Sequence, residues 1–327
     1  MSNAPFVHPD YWHLLGGQTP PAKPPVTDVY AIRESTTKHT KMASDALPFP
    51  AGMTTSVSTT TSADGSKLNI TRFVPLSVQQ RSQDTVPDRA IIWVFGGGLV
   101  AGSVAISFNM IASFAERTGT QVFAPDYRLA PEHPFPAALE DVYASITWLQ
   151  AHAKEFNVDP ARIVTVGQSA GGGLAAAAAL KAKDEALSPP IAAQVLTYPM
   201  LDDRTQIDPQ DLPFPFLVWT PNSNSLAWKA YLGEKANEGE AGSVNIPYTA
   251  VPGRAEDLRG LPPTFLGVGD LDLFLDEVKS FAARLSSQGV KVQSKVYSGV
   301  PHGFDAISAI SLGAELWNDE TTFIQQF

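Results

Sequence analysis

The chain has no cysteine among its 327 residues, which excludes disulfide scaffolds, cysteine nucleophiles and thiolate metal sites. It also lacks an excess of positive charge. Its 23 Lys and Arg stand against 33 Asp and Glu, a net charge of −10. With no dense basic cluster, nucleic acid is not the expected partner. The start, Met1-Ser2-Asn3-Ala4-Pro5, has neither a basic segment nor an apolar one behind it, so no secretory signal is read and a cytoplasmic location is expected. No membrane span is expected either. The one long uncharged stretch, 90–115, is interrupted by Gly96-Gly97-Gly98, Gly102, Ser103, Ser107 and Asn109. A glycine loop would leave its backbone unsatisfied in lipid, so a buried strand, a loop and a helix explain it better.

What is present is a hydrophobic fraction of 44%, enough for a large core in one big domain or two ordinary ones. Residues 1–50 are proline-rich, with a weak helical pattern from Val29 to Lys41. Met53–Ser58 and Lys67–Val74 flank Asp64-Gly65, a hairpin signal. From residue 90 strands and helices alternate. Apolar runs at 90–95, 121–124, 162–166, 191–197, 264–268 and 290–297 read as strands. Leu139, Val142, Tyr143, Ile146 and Leu149, and later Leu275, Val278, Phe281, Ala282 and Leu285, recur at helical spacing. The alternation predicts a mostly parallel sheet with helices on both faces. It breaks between about 203 and 252. That segment is predicted to be an insertion that forms a cap together with residues 1–50, over a main domain of 51–202 and 253–327.

Gly167-Gln168-Ser169-Ala170-Gly171 lies between a predicted strand and an alanine-rich helix. A Gly-x-Ser-x-Gly sequence in that setting puts the serine on a tight turn at a helix N-terminus, where negative charge is favoured. A serine hydroxyl needs a base. Of the six histidines, His8, His13 and His39 precede the sheet, His133 lies in a proline-rich turn and His152 at a helix end. His302 follows the last predicted strand, and sites in parallel sheets gather at strand carboxyl ends, which makes it the best base. Asp270 and Asp272, after the strand 264–268, compete to orient it, and periodicity does not choose between them. Phe95-Gly96-Gly97-Gly98-Leu99 is a loop able to aim N–H groups at an oxyanion. It lacks the Lys and Ser/Thr spacing of a phosphate loop.

Taken together these stretches resemble the hormone-sensitive-lipase-like family of α/β-hydrolase carboxylesterases, over about residues 88–305. The family's His-Gly-Gly-Gly stands here as Phe95 to Gly98. Its Tyr-Arg-Leu-Ala-Pro-Glu is Tyr127 to Glu132, its Gly-Asp-Ser-Ala-Gly-Gly is Gly167 to Gly172, its acidic stretch is Asp272 to Glu277, and its His-Gly-Phe is His302 to Phe304. The resemblance implies an α/β-hydrolase fold and a Ser169–His302–Asp272 triad. Asp272 is preferred to Asp270 because Asp276-Glu277 follow it at the family's offsets. It also implies Gly97, Gly98 and Ala170 as oxyanion donors, a small-molecule ester substrate, and no cofactor or metal. A homodimer is compatible with it. Two departures stand out: Phe95 replaces the first motif histidine, and Gln168 replaces the aspartate before the nucleophile.

Phe95 and Leu99 on the loop and Phe214 and Trp219 in the insertion are candidate pocket residues. Phe216 and Trp228 lie in the same aromatic segment, and core packing explains any one of them as readily. Two rival functions follow. One is a lactonase, acyltransferase or elimination/cyclisation enzyme on the same triad, motivated by Phe95. The other is a non-catalytic small-molecule receptor.

Overall fold

The computed structural model describes residues 5–21, 24–81, 86–207, 214–233 and 246–327. Its centre is an eight-stranded sheet in the order β1-β2-β4-β3-β5-β6-β7-β8. The strands are β1 (Thr54–Thr61), β2 (Lys67–Val74), β3 (Asp88–Val94), β4 (Gln121–Pro125), β5 (Val158–Gln168), β6 (Ala193–Thr197), β7 (Thr264–Leu271) and β8 (Val292–Pro301). β1 and β2 form the hairpin expected at Asp64-Gly65, where the Ser66 N–H donates to Asp64 Oδ1 at 2.9 Å. β2 meets β4 antiparallel, and every later pairing is parallel. The inner strands read as unbroken apolar runs because both faces are covered: all five residues of β4 and of β6 are buried.

After the single-turn α3 (Leu76–Gln79), helices α4 (Phe108–Thr118), α5 (Ala137–Ala151), α6 (Ala170–Asp184), α8 (Leu275–Ser287) and α9 (Ser311–Ile324) cover the sheet. Gly119, left-handed at φ 58°, ends α4 and turns the chain into β4. The arginine of Tyr127-Arg128-Leu129 grips the buried Asp141 of α5 through its backbone N–H and two guanidinium nitrogens, at 2.8–2.9 Å. It also reaches Asp64 in the hairpin turn at 2.6 Å. This ties the antiparallel edge to the parallel core.

The sequence pattern had not marked α9, whose buried face is Leu316, Trp317, Glu320, Phe323 and Ile324. Nor had it marked α7 (Pro221–Leu232) inside the predicted insertion. A start signal for α7 was nonetheless there: Thr220 caps the Ser223 N–H and proline occupies the first turn.

From the N-terminal segment come α1 (Pro9–Leu14) and α2 (Val29–Asp45). Asp28 caps α2 by accepting from Tyr30 and Ala31 N–H, both at 2.9 Å. α2 packs on α4 and on α7, and the Tyr11 hydroxyl donates to the Phe216 carbonyl at 3.2 Å. The described parts of residues 1–50 and 203–252 are therefore in contact with each other. Residues 208–213 and 234–245 of the expected insertion lie outside the described residues.

Candidate active site

β5 ends at Gln168 and α6 begins at Ala170, which leaves Ser169 alone to make the turn. It does so at φ 54°, ψ −122°, a conformation that L residues rarely adopt and that costs about 1–3 kcal/mol. The surroundings hold it there. The Ser169 N–H donates to Thr197 O at 2.9 Å, and the Ser169 carbonyl accepts from Met200 N at 3.0 Å and Gly173 N at 3.1 Å. The second motif glycine is required by contact, since a Cβ on Gly171 would stand 2.1 Å from the Val94 carbonyl oxygen. α6 can pack this closely over β3 only without a side chain there.

His302 follows β8 directly. Its Nε2 lies 2.8 Å from Ser169 Oγ, and its Nδ1 lies 2.7 Å from Asp272 Oδ2. The other oxygen of Asp272 accepts the Phe274 N–H at 2.9 Å. Asp270 is engaged elsewhere, accepting from the Ser298 hydroxyl at 2.8 Å and from Gly299 N at 2.5 Å. It fastens the end of β8, while Asp272 meets the histidine. The imidazole is flanked edge-on by Tyr198, with ring centres 4.6 Å apart, and by Phe274 at 5.2 Å. The Asp272 side chain is fully enclosed and that of His302 is 10% exposed, so the pair is shielded from solvent.

The glycine loop lies against this turn. A Cβ on Gly96 would come within 3.2 Å of Ser169 Cβ. No acceptor among the described residues takes the N–H groups of Gly97, Gly98 or Ala170. Gly98 has φ 62°, and a Cβ there would meet the Trp219 indole at 2.3 Å. Trp219, steadied by its N–H to Asn224 Oδ1 at 3.2 Å, therefore lies directly on the loop.

Phe95 is buried. Its ring stacks on Tyr127 with centres 4.0 Å apart, and the Tyr127 hydroxyl donates to the Phe95 carbonyl at 2.8 Å. Leu99 is buried as well, at φ 66°. Arg33 of α2 secures the same loop, donating to Val100 O at 2.6 Å and Ala130 O at 2.8 Å and pairing with Glu132. That pairing holds the Glu132 carboxyl down at about 2. The side chain of Phe214 lies outside the described residues.

The profile of the α/β hydrolase fold family matches residues 91–306. The chain belongs to that family, in its hormone-sensitive-lipase-like branch of carboxylesterases. It is 34% identical over 226 residues to esterase LipI of Mycobacterium tuberculosis, covering 67% of this chain and 68% of that one. Among solved structures it is similar to a bacterial heroin esterase, with a TM-score of 0.84 and 31% identity over 98% of this chain and 97% of that one. It is also similar to a hyperthermophilic esterase of the archaeon Pyrobaculum calidifontis, with a TM-score of 0.83 and 28% identity over 98% of both chains. As a member of this branch the chain is an enzyme of the esterase and lipase type. Among the described residues no helix is long and apolar enough to cross a membrane.

Several residues around the site had no sequence signal as site residues. Tyr198 follows β6 with φ 37° and walls the imidazole. Phe274 does the same from the start of α8. Arg33, about sixty residues before the loop it fastens, is an ordinary helix arginine in the sequence.

Proposed function

We propose that the chain is a serine carboxylesterase acting on small to medium apolar esters through an acyl-enzyme. The observation that carries this reading is the unbroken line from Ser169 Oγ to His302 Nε2 at 2.8 Å and from Nδ1 to Asp272 at 2.7 Å. The serine is held at φ 54° to present its hydroxyl. Ser169 attacks the ester carbonyl and passes its proton to Nε2. Asp272 keeps the other ring proton on Nδ1 and stabilises the imidazolium. The N–H groups of Gly97, Gly98 and Ala170 receive the oxyanion. His302 then protonates the departing alkoxide. Water attacks the acyl-serine with His302 again as base, releasing the acid.

The described parts of residues 1–50 and 203–252 act as the cap over this site. Trp219 contributes its apolar wall, with Phe95 and Leu99 backing the loop. Trp219 against Gly98 sets the room for the acyl chain, which supports a preference for short to medium chains. The rival reading of altered chemistry drew on Phe95. That ring stacks on Tyr127 and supports the loop without a histidine, which favours ordinary hydrolysis.

The test is hydrolysis of p-nitrophenyl esters from acetate to decanoate by the wild type and by Ser169→Ala. Turnover with an optimum at short to medium chains is expected, and the variant should lose about 10⁴–10⁶-fold in kcat. A wild type that leaves every ester intact would sink the esterase reading.

A further inference from the structure

Three residues beyond the base, Asp305 sits buried beneath the site. Its Oδ2 accepts from the Gln168 amide and from the Trp317 indole N–H, both at 2.9 Å, and its Oδ1 takes the Tyr198 hydroxyl. An amide, an indole and a phenol are the donor set that suits an ionised carboxylate. The three donors come from three different elements: the end of β5, the chain leaving β6, and α9. Each has a bearing on the reacting pair. Gln168 immediately precedes Ser169. The Tyr198 ring meets the His302 ring edge-on at 4.6 Å. Trp317 anchors the short turn Phe304–Ala306 that follows the histidine loop. α9 also closes tightly on this point, since a Cβ on Gly313 would come within 2.8 Å of Asp305 Cα.

Burial pushes the Asp305 carboxyl upward, while the hydrogen bonds from Tyr198 and Trp317 and the nearby His302 act against that shift. The titratable groups in its electrostatic surroundings are Tyr198, His302 and Glu320. Position 168 is an aspartate in the family motif. Here it is the donor, and the carboxylate it meets belongs to the histidine loop.

We propose that Asp305 is a positioning residue for the Ser169–His302 pair. It clamps Gln168, Tyr198 and its own loop into one register, so that Oγ and Nε2 stay at proton-transfer distance. The inference rests on the serine-esterase reading above. It assigns Asp305 no contact with substrate. Its loss should therefore lower kcat and leave KM nearly unchanged.

The experiment measures kcat and KM for p-nitrophenyl butyrate, with fluorophosphonate labelling of Ser169, on the full chain. The variants are Asp305→Asn, Asp305→Ala, Gln168→Glu and the double variant Gln168→Glu/Asp305→Asn. Asp305→Asn should lower kcat about tenfold and Asp305→Ala about a hundredfold, with KM within about twofold. Gln168→Glu sets two carboxylates against each other and should lose about a hundredfold. The double variant restores a donor–acceptor pair with its ends exchanged and should recover at least about tenfold of that loss.

The swap and the asparagine variant decide the matter even if Asp305→Ala does not fold. Losses that simply add in the double variant, or folded Asp305 variants that melt earlier but keep kcat, would overturn the inference alone. A wild type that neither hydrolyses the ester nor labels at Ser169 would overturn the esterase reading and this inference together.

Discussion

The two sides of the site are held by opposite means. On the histidine side the supports are polar and buried: Asp272 on the imidazole, Asp305 under Gln168 and Tyr198, and Glu320 accepting the Thr197 hydroxyl beneath the strand that anchors Ser169. On the glycine-loop side, the proposed oxyanion side, they are mainly aromatic packing, Phe95 stacked on Tyr127 and Trp219 against Gly98, with Arg33 as a polar tie to two carbonyls of the flanking chain. The difference follows from what each side must do. Proton transfer depends on the direction of side-chain lone pairs, and hydrogen bonds fix direction. Oxyanion stabilisation needs backbone N–H groups at a fixed position in a dry setting, and close packing supplies both.

The sharpest way to break the comparison is Gly98→Ala. The backbone at φ 62° disfavours a side chain, and the new methyl would stand 2.3 Å from the Trp219 ring. kcat should fall about 10²–10³-fold, the scale of one lost oxyanion donor. Adding Trp219→Ala should return part of that loss by removing the clash, leaving the part due to backbone strain. Steady-state kinetics on the two variants checks this. If Trp219→Ala brings no recovery, the indole does not press on the loop.

A smaller effect, and one of stability, is expected on the polar side. Burial pushes Glu320 up to about 8 in the folded chain, against an ordinary 4.5 when unfolded. Below pH 4.5 both states hold the proton. Between 4.5 and 8 the folded state keeps a proton that the unfolded state has released, so this group makes stability fall as pH rises across that window. Glu320→Gln removes that slope. In urea melts at pH 5 and pH 8, the variant should gain up to a few kcal/mol on the wild type at the higher pH relative to the lower. A difference that stays constant with pH would show that Glu320 is ionised in the folded protein.

The smallest effect is Arg33→Ala. The side chain is 29% exposed and its ion pair is partly solvated, so the pair itself contributes under about 1 kcal/mol. The loss of its bonds to Val100 and Ala130 carbonyls should lower kcat about two- to fivefold, because the loop that carries the proposed oxyanion donors loses one support. A kcat equal to that of the wild type would show that Arg33 does not help to hold the loop.

The sheet was legible because its inner strands are continuous apolar runs bounded by glycine and proline, and the meeting of Ser169, His302 and Asp272 because they sit at strand ends within motifs. The choice of Asp272 over Asp270 was not open to periodicity. The motif offsets pointed to it, and the geometry separates the two by their partners. α9 escaped because Trp317 and Glu320 are buried among Thr and Asn at mixed spacing. α7 escaped because proline and asparagine masked a start that Thr220 in fact caps. The supports of the site were least legible. Asp305, Tyr198 and Arg33 matter through contacts made across 67 to 137 positions of sequence, which no local pattern encodes.

The most direct test of the account is rapid acid quench during p-nitrophenyl butyrate turnover, with mass spectrometry of the peptide that carries Ser169. The account predicts a burst of about one equivalent of p-nitrophenol and a butyryl group on Ser169, absent in Ser169→Ala. Turnover with no burst and no adduct, or an adduct on another residue, would contradict it.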